Sequence, residues 1–328
     1  MKIRIVNSEK EPLFVDMVKK AIAKLPDKGG EWDVENPQEI VAGLENILSR
    51  LSDGLALLKA NAKEDSCNMK DEYPDEDKPM MKALDDLFNE WVNAQSDDDK
   101  GLFNRDGFYP GYCLQKVKIL FVGREACYMA GKNYIEYMYG RLRGGYIGKW
   151  TVNQYPFHRR QAYIAYGILK ALEGNQEWQW PSWDAIPSAF DICKNVGENI
   201  SWAFMNLSKL SNETGDWRTD GNKYWPFVKN NKRWLREQVR ILNPDIIIGA
   251  NVPELADILK YEMSPDAGNG KCYVYYKEGL PLFLNCYHFS AIKGDEDFFY
   301  APVGDVLGKY RNNLKKAIEN RNKRCWSK

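Results

Sequence analysis

The sequence predicts an α/β protein. A three-layer α/β/α domain with a mostly parallel central sheet is expected over 106–328, preceded by a helical N-terminal region over 1–105. Three observations lead there. From about residue 116, short continuous apolar runs (VKILFV at 117–122, WAFMNL at 202–207, DIIIGA at 245–250) alternate with segments of helical period. Such runs read as strands buried on both faces, the pattern made by helices covering both sides of a parallel sheet. Residues 1–105 carry helical periodicity instead, and the 44% apolar content of 328 residues is enough for one large core with a helical addition.

The elements follow in order. Lys2 to Val6 alternates like a short strand, and Leu13 to Leu25 has helical spacing. Between Pro37 and Ala62, Ile40, Leu44, Ile47, Leu48, Leu51, Leu55 and Leu58 fall on one helical face. Lys63 to Lys78 is polar and acidic and reads as a loop. Met80 to Val92 is an amphipathic helix, and the run Ser96-Asp97-Asp98-Asp99-Lys100 reads as a linker. Beyond the first core strand, helices are expected at Arg159–Leu172, Ser182–Lys194, Trp225–Leu242 and Pro253–Tyr261. Asn243-Pro244 stops the third of these. Strands are expected at Cys272–Tyr276 and Pro281–Tyr287, and a last amphipathic helix from Val303 to Asn320.

Bulk composition narrows the function. Lys plus Arg and Asp plus Glu balance at 46 each, so no overall basic excess marks a phosphate-binding protein, and any nucleic-acid surface must be local. The 11 Trp and 19 Tyr either fill the core or supply stacking platforms. Seven Cys without a CxxC pair argue against a zinc site and a disulfide framework, and point to a reducing compartment. No leader-like start and no run near ~18 apolar residues is present, so a cytoplasmic protein without a membrane partner is expected. No metal and no cofactor is expected.

In open α/β sheets ligands bind beyond the carboxyl ends of the strands. Three expected strand ends carry chemistry: Gly123-Arg124-Glu125, Asn206, and His288 after LFLNCY. Each also has a structural reading. Glu125 can serve as a helix N-terminal carboxylate, Asn206 can satisfy backbone groups, His288 can be a hydrogen-bonded structural histidine, and Ile292 can be packing.

These segments together resemble the uracil-DNA glycosylase superfamily. ILFVGREACY is similar to the family's GQDPYH and GEAPG motifs, with Glu125 in place of the Asp. FMNLSKLSN resembles the strand ending in Asn, with Asn206 in register and Lys209 and Asn212 echoing TNxxKCRPPxNR. VRILNPDIIIGAN is similar to LxPxxIIxLG. HFSAIKG resembles HPSPLS, with His288 in place and Ile292 at the position of a wedge leucine. The motifs keep their order across 116 to about 300.

The resemblance implies a DNA glycosylase that hydrolyses the N-glycosidic bond of uracil or a related damaged base, flipped into a pocket. Glu125 and His288 would be catalytic. The carboxylate would orient water, and the imidazole would stabilise charge on a carbonyl oxygen of the leaving base. Asn206 would pair with the base edge, Tyr128 or Tyr134 would stack on it, and Ile292 would fill the gap in the duplex.

Departures accompany the likeness. Arg124 and Ala126 flank Glu125 where the family prefers a smaller or uncharged neighbour and a proline. HFSAIKG lacks both prolines, which leaves its loop less rigid by sequence. The cysteine spacing of the iron–sulfur branch is missing. The stretch 132–160 interleaves Arg141, Arg143, Arg159 and Arg160 with tyrosines, and with Lys209 it is the candidate DNA-contacting set; its other reading is a solvated loop and helix start. Two alternatives stay open: a catalytically altered glycosylase-fold protein binding nucleic acid or a nucleotide, and an unrelated α/β hydrolase or transferase for small molecules. Against the last stands the lack of a GxGxxG after a strand, a Walker loop or a GxSxG elbow. The oligomeric state is left open.

Overall fold

The computed structural model describes residues 69–173, 178–264 and 269–324. Contacts divide the chain between Cys67 and Asn68, and the described residues belong to the second unit. The expected strand at 2–6 and helices at 13–25 and 37–62 lie outside the described residues.

The protein is α/β, three layers built on a seven-stranded mixed sheet. Its centre is four parallel strands: β2 (Ile119–Gly123), β5 (Ala203–Asn206), β6 (Ile246–Ala250) and β9 (Leu282–Cys286), in the spatial order β5-β2-β6-β9. Every residue of these strands is buried, which accounts for their largely apolar sequences. Antiparallel edges complete the sheet. β1 (Gly107–Phe108) pairs with β5, and β8 (Cys272–Tyr276) pairs with β9 and with β7 (Glu262–Met263). A separate hairpin is formed by β3 (Tyr146–Ile147) and β4 (Trp150–Thr151).

Two groups of helices form the outer layers. In one, α1 (Lys78–Asn93) packs on α7 (Lys232–Leu242), which contacts α8 (Glu254–Leu259). Trp91 of α1 is wholly buried there and stacks on Trp234 and Phe227. In the other, α4 (Pro156–Ala171) contacts α5 (Ala189–Cys193) and α9 (Ala301–Lys309), and α3 (Tyr134–Gly144) rests on α5. Among the described residues, no helix is long and apolar enough to cross a membrane.

Several expected elements take a different form for local reasons. The acidic run at 96–100 is not a linker but opens α2 (Asp97–Leu102). The Ser96 hydroxyl accepts from the Asp99 N–H at 3.3 Å, and three aspartates face the positive helix end. The helix expected over 225–242 is two, α6 (Gly221–Asn230) and α7, interrupted at Asn231. The Asn231 side chain leaves the helical pattern to accept from Trp91 Nε1 at 2.6 Å. The helix expected over 182–194 shrinks to a 3₁₀ turn, Trp183–Ala185, and α5 beyond Pro187. The terminal helix divides at Tyr310 into α9 and α10 (Arg311–Glu319).

Candidate functional site

The chain runs from β2 to β5 on one side and then to β6 and β9 on the other, so the winding reverses between β2 and β6. Crevices beyond the carboxyl ends of parallel strands open at such a reversal. Arg124, just past β2, donates from Nε to the Asn251 carbonyl beyond β6 at 3.1 Å. Asn251 itself is left-handed, with φ at 58°, an unusual conformation for a residue that is not glycine.

Asn206 ends β5, level with Gly123 on β2. A Cβ at Gly123 would lie 2.6 Å from Asn206 Oδ1 and 3.2 Å from Phe204 Cζ, so only glycine lets the asparagine side chain lie across the strand end. Asn206 is 1% exposed, and its Nδ2 is a buried donor with no partner. An amide left unpaired in the interior is costly, so such a group asks for a ligand or water acceptor. The backbone of Asn206 is pinned from behind. Its N–H donates to Asp106 Oδ2 at 2.7 Å, and its carbonyl accepts from Lys209 Nζ at 2.8 Å. Lys209 and Asp106 form an ion pair at 2.6 Å with neither side chain exposed, and Gln238 donates to the same aspartate. Burial pulls the lysine pKa down, opposed by Asp106.

Phe157, in the first turn of α4, separates Asn206 from His288. Its ring is edge-on to Phe204 at 5.9 Å and tilted against the His288 imidazole at 5.7 Å, and its Cζ would be 3.6 Å from a Cβ on Gly123. His288 accepts at Nδ1 from the Ser290 N–H at 3.2 Å, so the neutral ring carries its proton on Nε2. Burial, with Arg124 and Arg160 nearby, lowers its pKa to about 4. At neutral pH it is therefore an uncharged donor.

The loop bearing His288 is stiffened without proline. Arg160 of α4, 2% exposed, donates to the carbonyls of Phe289, Ala291 and Lys293, pairs with Asp295 at 2.7 Å, and lies 3.9 Å over the Phe299 ring. One guanidinium thus supplies the rigidity missing from HFSAIKG. At the tip of this loop Ile292 is fully exposed.

The third expected site residue is engaged elsewhere. Glu125 Oε1 accepts from Asn212 Nδ2 at 3.2 Å and the Asp220 N–H at 3.3 Å, tying the 212–220 loop to the end of β2. Burial raises its pKa, and these two hydrogen bonds partly counter that. The geometry therefore gathers Gly123, Asn206, Phe157 and His288 into one cluster and turns the Glu125 carboxylate to the loop beside it.

The expected contact residues divide sharply. Tyr134 is not a free platform. It is buried, stacked 4.6 Å from Phe204, with its hydroxyl 3.4 Å from His158 Nε2. Tyr128 is 57% exposed on the rim. Lys209 and Arg160 are internal supports, since both are buried against carboxylates. Arg159 pairs with Asp295, and Arg143 with Glu72 and Glu198. Arg141 is half-buried, 3.7 Å over the Tyr137 ring. The basic stretch is thus largely a set of fold contacts carried by α3 and α4.

Sequence pattern alone does not single out Phe157, although its place just after Pro156 at a helix start is a usable signal. Among the described residues, no group of three or more His, Cys, Asp or Glu is placed to hold a metal ion. Compared with models of known protein families and with curated proteins, the sequence matches none, and the reading of this crevice rests on its own residues.

Proposed function

We propose that the crevice binds a single nucleobase and that the protein is a DNA glycosylase acting on uracil or a related damaged base. The observation that carries this is the orphaned, buried amide of Asn206, framed by the bare backbone of Gly123, the ring of Phe157 and the neutral imidazole of His288. An amide offers a donor and an acceptor to a base edge, and an aromatic wall suits a planar ring. The Nε2–H of His288 can strengthen its hydrogen bond to a base carbonyl as negative charge grows there. In the hydrolysis the electron pair of the C1′–N bond leaves with the base. Water adds to the sugar carbon, and its proton completes the free base.

A second reading has its own support. Glu125 is the residue expected to orient the water, and its carboxylate oxygen already serves the Asn212 and Asp220 donors. A protein of this design can hold a base without cutting its bond.

Release of free uracil from single-stranded and duplex oligonucleotides separates the two. With the glycosylase, His288→Ala slows release by ~10²–10³-fold, Glu125→Gln also slows it, and Asn206→Ala loses discrimination between uracil and other bases. No release by the folded protein, or release unchanged by His288→Ala, removes the enzymatic reading. Oligonucleotide binding that persists without release then favours the second.

A further inference from the structure

The 212–220 loop combines a rigid frame with exposed rings. Asn212 organises it. Its Oδ1 accepts from the Thr214 N–H at 3.0 Å and hydroxyl at 2.7 Å, and its Nδ2 donates to the carbonyls of Asp216 at 3.1 Å and Arg218 at 2.9 Å. Asp216 accepts from the Arg218 N–H at 2.9 Å. A segment so fully bonded nevertheless holds Trp217 81% exposed.

Two more exposed rings are tied to the same loop. Tyr128, left-handed at φ 57° and 57% exposed, donates its N–H to the Asn212 carbonyl, and its hydroxyl is 3.5 Å from where Gly215 would carry a Cβ. Trp225, 51% exposed, stands in the first turns of α6, which Asp220 caps. All three rings are exposed on an ordered frame and present aromatic faces to water.

We propose that Tyr128, Trp217 and Trp225 form a stacking rim that holds an unpaired stretch of nucleic acid beside the strand-end crevice. The inference rests on the nucleobase reading of that crevice and adds the form of the polymer. Three features select this occupant. Between Trp217 and Trp225 the run Arg218-Thr219-Asp220-Gly221-Asn222-Lys223 is polar rather than the apolar stretch a protein partner needs. Arg218 lies over Trp217 at 5.7 Å, and Arg218 and Lys223 form no ion pair among the described residues, which leaves both cations for phosphates. The rim is tied through Glu125 to the end of β2, so a strand lying on it leads into the crevice. Stacking requires open base faces, which a duplex does not offer.

With Arg218 and Lys223 as the two phosphate contacts, stacking rather than charge dominates the binding. With two phosphate contacts the slope of log K against log salt is shallow, about −1.4.

The test is fluorescence anisotropy of a dye-labelled thymidine oligonucleotide with the full chain, at several salt concentrations, single-stranded and annealed to its complement. The expected result is preference for the single strand, a shallow salt slope, and a loss of roughly tenfold or more in affinity for Trp217→Ala, with Trp225→Ala weaker than wild type as well. Trp217 is too exposed to matter for folding, which circular dichroism verifies. Equal affinity of Trp217→Ala and wild type overturns the proposal. So does preference for the duplex, a steep salt slope, or self-association of the chain that Trp217→Ala abolishes while no oligonucleotide binds. Asn206→Ala distinguishes the two inferences: rim binding unaffected by that change, with no base selectivity in either protein, removes the crevice reading and leaves the rim standing.

Discussion

Asn206 and His288 both neighbour Phe157, the first across Gly123 and the second ring to ring, but they are held by opposite means. Asn206 ends a regular strand, and a wholly buried Asp106–Lys209 pair grips its backbone N–H and carbonyl. His288 rides on an irregular loop, and one guanidinium from α4 collects three of that loop's carbonyls. The difference follows from what each backbone lacks. A strand end has most of its ladder partners and needs only its last groups fixed. A loop has almost none, so a multidentate donor must replace them.

The sharpest way to break this comparison is to remove each cation. Lys209→Met leaves the Asp106 carboxylate buried with only neutral donors, and should cost about 3–5 kcal/mol. Arg160→Met should cost less, because Arg159 still pairs with Asp295 at 2.5 Å. Its damage should be local to 288–295. Denaturant midpoints measure the first difference, and amide exchange across the loop measures the second. Equal losses in the two variants would show that the loop is as deeply coupled to the core as the strand.

The same two cations mark the limit of what was legible in the sequence. VKILFV and DIIIGA were readable as strands because burial on both faces writes an unbroken apolar run. The sheet-end placement of Glu125, Asn206 and His288 followed from VKILFV, WAFMNL and LFLNCY. What could not be read depends on contacts far along the chain. Asn231 breaks a helix for a tryptophan 140 residues away, and Lys209 goes inward because Asp106, 103 residues earlier, waits there. Arg160 reads as one more surface cation until Asp295 and the loop carbonyls surround it. Likewise nothing in GREACY told that Asn212 and Asp220 would occupy the Glu125 carboxylate.

Acid sharpens the contrast by acting on the loop side. His158, between Phe157 and Arg160 on α4, is 4% exposed, and burial lowers its pKa to about 3. The unfolded chain binds this proton near the ordinary value of about 6.5, so below that pH protons favour the unfolded state. The stabilising contribution is therefore complete above about 6.5 and shrinks as pH falls toward 3. His288, lowered to about 4, acts in the same direction. At pH 4.5 the His158 contribution amounts to at most about 2–3 kcal/mol. His158→Gln keeps a polar partner for Tyr134 but cannot titrate, and should flatten the decline in melting temperature between pH 6.5 and 4.5. A decline as steep as in wild type would place the acid sensitivity outside α4.

The smallest expected effect tests whether the supported loop exists for its tip. Ile292 projects wholly into water, on a loop that Arg160 holds through the carbonyls on either side of it. Because no surface is buried there, Ile292→Ser should shift stability by no more than about 0.5 kcal/mol. An ordered loop that spends a buried guanidinium to present an apolar side chain makes sense if that side chain enters a partner. As a wedge it would matter only where a base must be drawn from a paired stack. Ile292→Ser should then weaken action or binding on duplex substrate several-fold and leave single-stranded substrate nearly untouched, the reverse of the pattern expected for Trp217→Ala. If both substrates respond alike to Ile292→Ser, the residue serves no wedge function, and the order of the loop is there for His288 alone.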